Sequence, residues 1–264
     1  MSVIYKTPEE IEKIRISSLL VGNTLAEVAA MIRPGVKTID LDKVAESFIR
    51  DHEAIPAFKG YHGFPGSLCI SVNEQVVHGI PGGEELIEGD IVSIDCGVIK
   101  EGFFGDSAYT FAVGEISDEL KKLLLVTQEC LTRAIETAVQ GKRVGDIGYV
   151  VQEHAESNGY SVVRELVGHG VGKQLHEKPE VPNYGKRGRG ILLKEGMVLA
   201  IEPMVNSGKR NIKQHSDGWT ITTADNKPAA HFEHTVSVGG PKADVLSSFD
   251  KIIEAEKKNI NLSV

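Results

Sequence analysis

The chain has 264 residues, 41% hydrophobic and 25% charged, with a net charge of −8: enough chain to bury a core without staples, and an acidic balance that argues against nucleic acid as the main partner. Cys69, Cys96 and Cys130 form no CxxC, which fits free thiols in a reducing cytosol better than a disulfide framework. The chain opens with acids and bases and no apolar h-region, and no uninterrupted apolar run approaches a membrane span, so neither a signal peptide nor a membrane partner is expected.

Thr7, Pro8, Glu9 and Glu10 signal a helix start. Ile11, Ile14, Ser18, Val21, Leu25, Val28 and Ile32 then recur in steps of three and four up to Pro34-Gly35. A second helix is predicted over about 38–53, with Leu41, Val44, Ala45, Phe48 and Ile49 inward. Strands follow near 67–78, 90–99 and 103–113. Ser117 caps a third helix that stops at Gly141, and a fourth runs over about 146–158. Further strands are predicted near 161–167, 197–205, 218–224 and 231–239, with a short polar helix or frayed end from Leu246. The basic run "GKRGRG" at 185–190 reads as a solvated loop.

The two halves resemble each other. "GVKTIDLDKVAESF" from Gly35 aligns with "GKRVGDIGYVVQEH" from Gly141, and "EGDIVSID" from Glu88 with "EGMVLAIE" from Glu195. Asp95 thereby falls on Glu202, while "GDSAYTFAVG" against "FEHTVSVG" places Asp106 on Glu233 and "HGIP" against "HEKP" places His78 on His176. Matches in this constant order point to an internal duplication. The expectation is one α+β domain, residues 1–264, of two pseudo-symmetric halves, about 1–115 and 116–245, with a tail at 246–264.

Asp95 and Asp106 lie in otherwise apolar strand sequence. A two-residue loop at Lys100-Glu101 would make them direct cross-strand neighbours, with Cβ atoms roughly 4.5–5.5 Å apart. Facing buried carboxylates repel, and neither strand interior offers a basic partner. Glu202 in "MVLAIEPMV" and Glu233 in "HFEHTVSV" repeat the anomaly. In "GHGVG", Gly168, Gly170 and Gly172 let the backbone fold tightly around His169 after a strand "SVVRELV". Four carboxylates and one imidazole without a thiolate suit Mn, Fe(II), Co or Zn. Two divalent ions would neutralise the carboxylates and activate a water between them, which indicates metal-assisted hydrolysis.

These residues, with "CISVNEQVVHGIP", "DCGVIKEGFFGDSAYTFAVG", "GHGVG", "IEPMV", "DGWT" and "FEHTV" in order, resemble the methionine aminopeptidases. The resemblance implies the pita-bread fold, a curved antiparallel sheet with helices on its outer face. It implies Asp106 and Glu233 bridging two divalent ions, Asp95 on one ion, and His169 and Glu202 on the other. It also implies Glu202 as proton shuttle, His78 on the substrate amide and His176 at the scissile carbonyl. Tyr61, His62, Phe64, Cys69 and Trp219 would form the methionine pocket. Leu175 stands where an aromatic is expected and Phe58 where a cysteine is common, so pocket shape is expected to differ there and the metal chemistry is not.

Only 31 positions separate Glu202 from Glu233, and no cysteine-rich segment precedes Thr7, which matches a short bacterial type I form. The implied activity is removal of the N-terminal methionine from nascent polypeptides with a small second residue. The enzyme would be a cytoplasmic monomer, with room for a transient ribosome contact. An Xaa-Pro aminopeptidase or prolidase on the same fold is the nearest alternative. "GDSAYTF" lacks the arginine expected soon after the second aspartate of those enzymes, and only about 90 residues precede Asp95. A non-catalytic pita-bread binding protein is the alternative of another class.

Overall fold

The computed structural model describes residues 2–262. Its helices are α1 (Pro8–Met31), α2 (Thr38–Asp51), α3 (Asp118–Thr137), α4 (Val144–Ser157) and α5 (Asp250–Glu256). The cap of α1 is reciprocal. Thr7 Oγ1 accepts from the Glu10 N–H while the Glu10 carboxylate accepts from the Thr7 N–H, which satisfies donors that a helix start leaves open. By length and composition α1 could cross a bilayer, a feature that the search for uninterrupted apolar runs passed over. Here Ile14, Val21, Leu25 and Val28 are fully buried against α2, α5 and the strands below.

The 246–264 tail was expected to be a short polar helix or a frayed end; the short helix is there as α5, but the tail is docked up to Leu262 rather than frayed. Leu246, Ile252 and Leu262 are buried, and Asn259 Nδ2 donates to the Ala29 and Ile32 carbonyls at 2.8 and 2.7 Å. One side chain thus closes the C-terminal end of α1, where carbonyls lack helical partners. Ser263 and Val264 lie outside the described residues.

A hairpin of Ile91–Lys100 and Phe103–Ala112 forms the centre of the first half. Leu68–Val72 and Ile55–Pro56 pair along the other edge of Ile91–Lys100. The loop is Glu101-Gly102, one residue later than the sequence suggested. Both have positive φ, 52° and 78°, as a type I′ turn requires, and Gly102 meets that demand without strain. Asp95 therefore faces Ala108, and Asp106 faces Gly97. The shift is two residues of register, so parity is kept and both aspartates stay on one face as diagonal neighbours. Diagonal backbone positions lie roughly 7–8 Å apart, yet the two side chains still turn toward each other and interact directly.

In the second half, Val167–Gly170 lies between Glu177–Pro182 and Val198–Ile201, followed by His234–Ser237 and Asp244–Val245. The predicted 161–167 strand contracts to Ser161–Val162, and His169 sits on a strand of its own. Its glycines serve close approach and not a turn. A Cβ at Gly168 would lie 2.4 Å from the Ala200 carbonyl oxygen, and one at Gly170 2.6 Å from that of Lys178. Glu177–Pro182, Ile55–Pro56 and Ile212–Gln214 are strands the sequence pattern did not reveal. The 185–190 loop is largely exposed, as expected.

The halves join along a seam. The Glu233 N–H donates to the Ala108 carbonyl at 2.9 Å, Ser107 Oγ to the Glu233 carbonyl at 2.6 Å, and Thr235 Oγ1 to the Asp106 carbonyl at 2.7 Å. Leu25, Ile94 and Phe111 from one half share a single apolar core with Val151, Leu199 and Phe232 from the other. The seam carries Asp106 and Glu233.

Candidate active site

A cavity of about 140 Å³ opens at this seam. Asp95, Asp106, Glu202, Glu233 and His169 line it together with His78 and His176. Ile201 pairs with His234 and Met204 with His231, in one continuous register. Glu202 thereby comes opposite Glu233 across a gap where the Glu202-Pro203 segment interrupts the strand. His169 Nε2 lies 3.5 Å from Glu202 Oε1 and 3.8 Å from Asp106 Oδ2. Asp106, His169 and Glu233 each offer a ligand atom within 4.8 Å of the others.

The electrostatics of this cluster call for a proton or a cation. Burial pushes the Asp95 carboxyl up to about 7. Burial, and then the charges of Asp95 and Glu202, raise Asp106 well above the carboxylate range. Burial followed by Asp95 does the same for Glu202, and burial followed by Asp106 for Glu233. Asp95 Oδ1, Asp106 Oδ1 and Glu233 Oε1 are buried without a hydrogen-bond partner. Such groups are costly unless a proton or a metal satisfies them. Hard oxygen donors with one neutral imidazole fit a divalent ion, and His169, lowered to about 3 by burial and then by His176, keeps its nitrogen lone pair free.

The remaining wall is apolar. Phe58, Tyr61, Phe64, Cys69, Leu175 and Trp219 line it, with Phe64 and Trp219 meeting edge to face at 5.1 Å. Cys69 pairs with Asp95 across the sheet, and burial holds its thiol well above its ordinary value. The expected pocket residue His62 is exposed and is not among the lining residues. Its ring packs edge-on against Tyr61 at 4.4 Å. Positive φ, 47° at His62, turns the chain outward here. Tyr61 Oη lies 2.7 Å from His176 Nδ1. His78 also has positive φ, 59°. Burial and then His176 lower it to about 4, which favours the neutral imidazole.

His231 lies outside the set of residues that the sequence pattern singled out. It is 2% exposed, and its Nε2 lies 3.9 Å from both Glu202 Oε2 and Glu233 Oε2. Burial and then His78 lower it to about 3. The available signal was its spacing of two from Glu233, which shares a strand face when backbone is extended.

The model of metallopeptidase family M24 matches residues 12–239. The methionine aminopeptidase of Clostridium perfringens is 52% identical over 242 residues, 91% of this chain and 97% of that protein. The crystal structure of methionine aminopeptidase from Rickettsia prowazekii superposes with a TM-score of 0.92 at 40% identity, covering 94% of this chain and all of that one. An Xaa-Pro dipeptidase from Bacillus anthracis shares the fold at a TM-score of 0.75 and 21% identity, with 62% of its length covered. The architecture is the pita-bread fold that the motifs implied. With its buried carboxylates gathered at the seam of two interlocked halves, the chain belongs to metallopeptidase family M24.

Proposed function

We propose that this chain removes N-terminal methionine from nascent polypeptides whose second residue is small. The observation that carries this reading is that one cavity of about 140 Å³ joins a divalent-metal donor set to a largely apolar wall of Phe58, Tyr61, Phe64, Cys69, Leu175 and Trp219, a surface suited to an unbranched thioether side chain. As a metallopeptidase the protein binds divalent metal. Asp95, Asp106, His169, Glu202 and Glu233 would hold the metal, and the four carboxylates would be neutralised by two divalent ions of the Co, Mn, Fe or Zn class. When bound, they acidify a water and offset charge developing on the scissile carbonyl.

The protein's own groups do the rest. Glu202, at the cavity wall, carries the proton from the attacking water toward the leaving amine. If the Tyr61 hydroxyl donates to His176 Nδ1, the imidazole proton stays on Nε2, ready to donate to the carbonyl oxygen as it gains charge. His78 holds the substrate amide. Phe58, Tyr61, Phe64, Cys69, Leu175 and Trp219 hold the methionine side chain and exclude water, while His62 stands at the rim.

The chain works as a single catalytic domain, its halves of about 1–115 and 116–245 each supplying carboxylates to one cavity. It acts as a cytoplasmic monomer, in transient contact with the ribosome. Hydrolysis of Met-Ala-Ser, abolished by EDTA and restored by Mn or Co, supports this function. Cleavage of Ala-Pro-Ala alone would establish an Xaa-Pro enzyme instead, and indifference to EDTA with no metal uptake would leave a binding protein.

A further inference from the structure

The backbone of His231 is pinned at the seam by Thr110 of the other half. Thr110 Oγ1 holds its backbone at both ends, accepting from the His231 N–H at 3.0 Å and donating to its carbonyl at 2.7 Å. Ser93 Oγ lies 2.8 Å from that same hydroxyl, and Met204 pairs with His231 across the ladder. The imidazole is thus fixed in depth, yet its Nε2 is buried without a hydrogen-bond partner. Its neighbours there are two carboxylates, at the same 3.9 Å from Glu202 Oε2 and Glu233 Oε2. An unpaired buried nitrogen forfeits its hydration, and a leucine would fill the same volume without that loss. A separation of 3.9 Å is too long for a hydrogen bond, but a carboxylate rotation of about 1 Å would bring it to the usual range of roughly 2.9 Å.

We propose that His231 is a positioning residue whose Nε2–H is a shared donor to Glu202 and Glu233, fixing the orientation in which those carboxylates hold the ions. The proposal rests on the reading that Glu202 and Glu233 are metal ligands. The Asp106, His169 and Glu233 cluster closes without His231, so the imidazole acts through the carboxylates and is not counted as a ligand. Donors behind ligating groups commonly change metal affinity by about 10–100-fold.

The test is Mn(II) titration calorimetry on metal-free protein. It compares wild type with His231→Leu, which keeps bulk but loses the donor, and His231→Gln, whose amide N–H reaches about as far as Nε2. The expected result is tighter-site Mn(II) binding weakened about 10–100-fold in His231→Leu and restored to within about threefold of wild type in His231→Gln. On Met-Ala-Ser at saturating Mn(II), kcat should fall in the Leu variant with little change in KM. Wild-type Mn(II) affinity in His231→Leu would overturn the proposal, as would equal weakening in the Leu and Gln variants. If His231→Leu fails to fold, His231→Asn, whose N–H falls short of the carboxylates, takes its place with the same expected weakening. A wild-type protein that takes up no Mn(II) would instead sink the metal reading itself, and this proposal with it.

Discussion

Glu256 offers a test of buried electrostatics away from the metal centre. It sits on α5, 5% exposed, and accepts a hydrogen bond from Tyr109 Oη at 2.8 Å. Burial, against the smaller opposing effect of that bond, pushes its carboxyl from 4.5 up to about 7. A carboxyl with a raised folded value binds its proton more tightly in the folded state. Its stability contribution is therefore complete below about 4.5 and is lost as pH rises through about 7. The difference between the two values corresponds to about 3 kcal/mol over the whole window, or roughly 5 °C in Tm for a chain of this size. Glu256→Gln keeps the acceptor for Tyr109 and cannot ionise. It strands an amide N–H, which adds an offset, but that offset does not vary with pH. Thermal melts of both proteins at pH 5 and pH 8, in one fixed metal buffer, isolate the effect as a difference of differences. The variant should gain several degrees on wild type between the two pH values. Parallel melting curves, with the same gap at both, would show that Glu256 is not held protonated by its surroundings and would refute the argument.

Asp106→Asn or Glu233→Gln should abolish turnover, since each removes a carboxylate from the set proposed to hold the metal; Met-Ala-Ser hydrolysis within about tenfold of wild type in either variant would contradict the assignment. Leu175→Ala removes apolar wall from the cavity, and at roughly 1–3 kcal/mol per methylene should lower kcat/KM for methionyl peptides at least about tenfold while leaving Mn(II) affinity intact; an unchanged kcat/KM would place the methionine side chain elsewhere. Gly105→Ala would put a Cβ 2.3 Å from the Ser18 backbone nitrogen, forcing α1 off the Phe103–Ala112 strand. A loss of about 1–3 kcal/mol is expected in urea unfolding, and an unmoved midpoint would mean that the helix yields without cost.

How much the sequence revealed depended on the range of the interaction. The α1 start was legible because Thr7 and Glu10 cap one another within a single turn. The candidate carboxylates were legible because acids in apolar strands violate a local pattern, and the structure brings all four to one cavity. Both aspartates were expected on one face, and parity preserved that expectation even though the hairpin loop lies one residue later. The register itself was not legible, since Lys100-Glu101 and Glu101-Gly102 both read as turns, and the choice depends on which residue must adopt positive φ.

Other features exist only where distant segments meet. The glycines around His169 read as a tight loop, but a glycine that admits a neighbouring backbone leaves the same letter in the sequence as one that makes a turn. His62 read as part of the methionine pocket, and a single left-handed residue turned it to the rim. His231 carried no local signal beyond its spacing from Glu233, because its importance comes from Thr110 and Glu202, both remote in sequence. Sequence alone thus determined the helices, the strand faces and the hard-donor chemistry, all set by neighbours along the chain. Tertiary structure decided the register, the cavity wall and the placement of the second carboxylate pair opposite the first, because those follow from packing between halves that local periodicity does not encode.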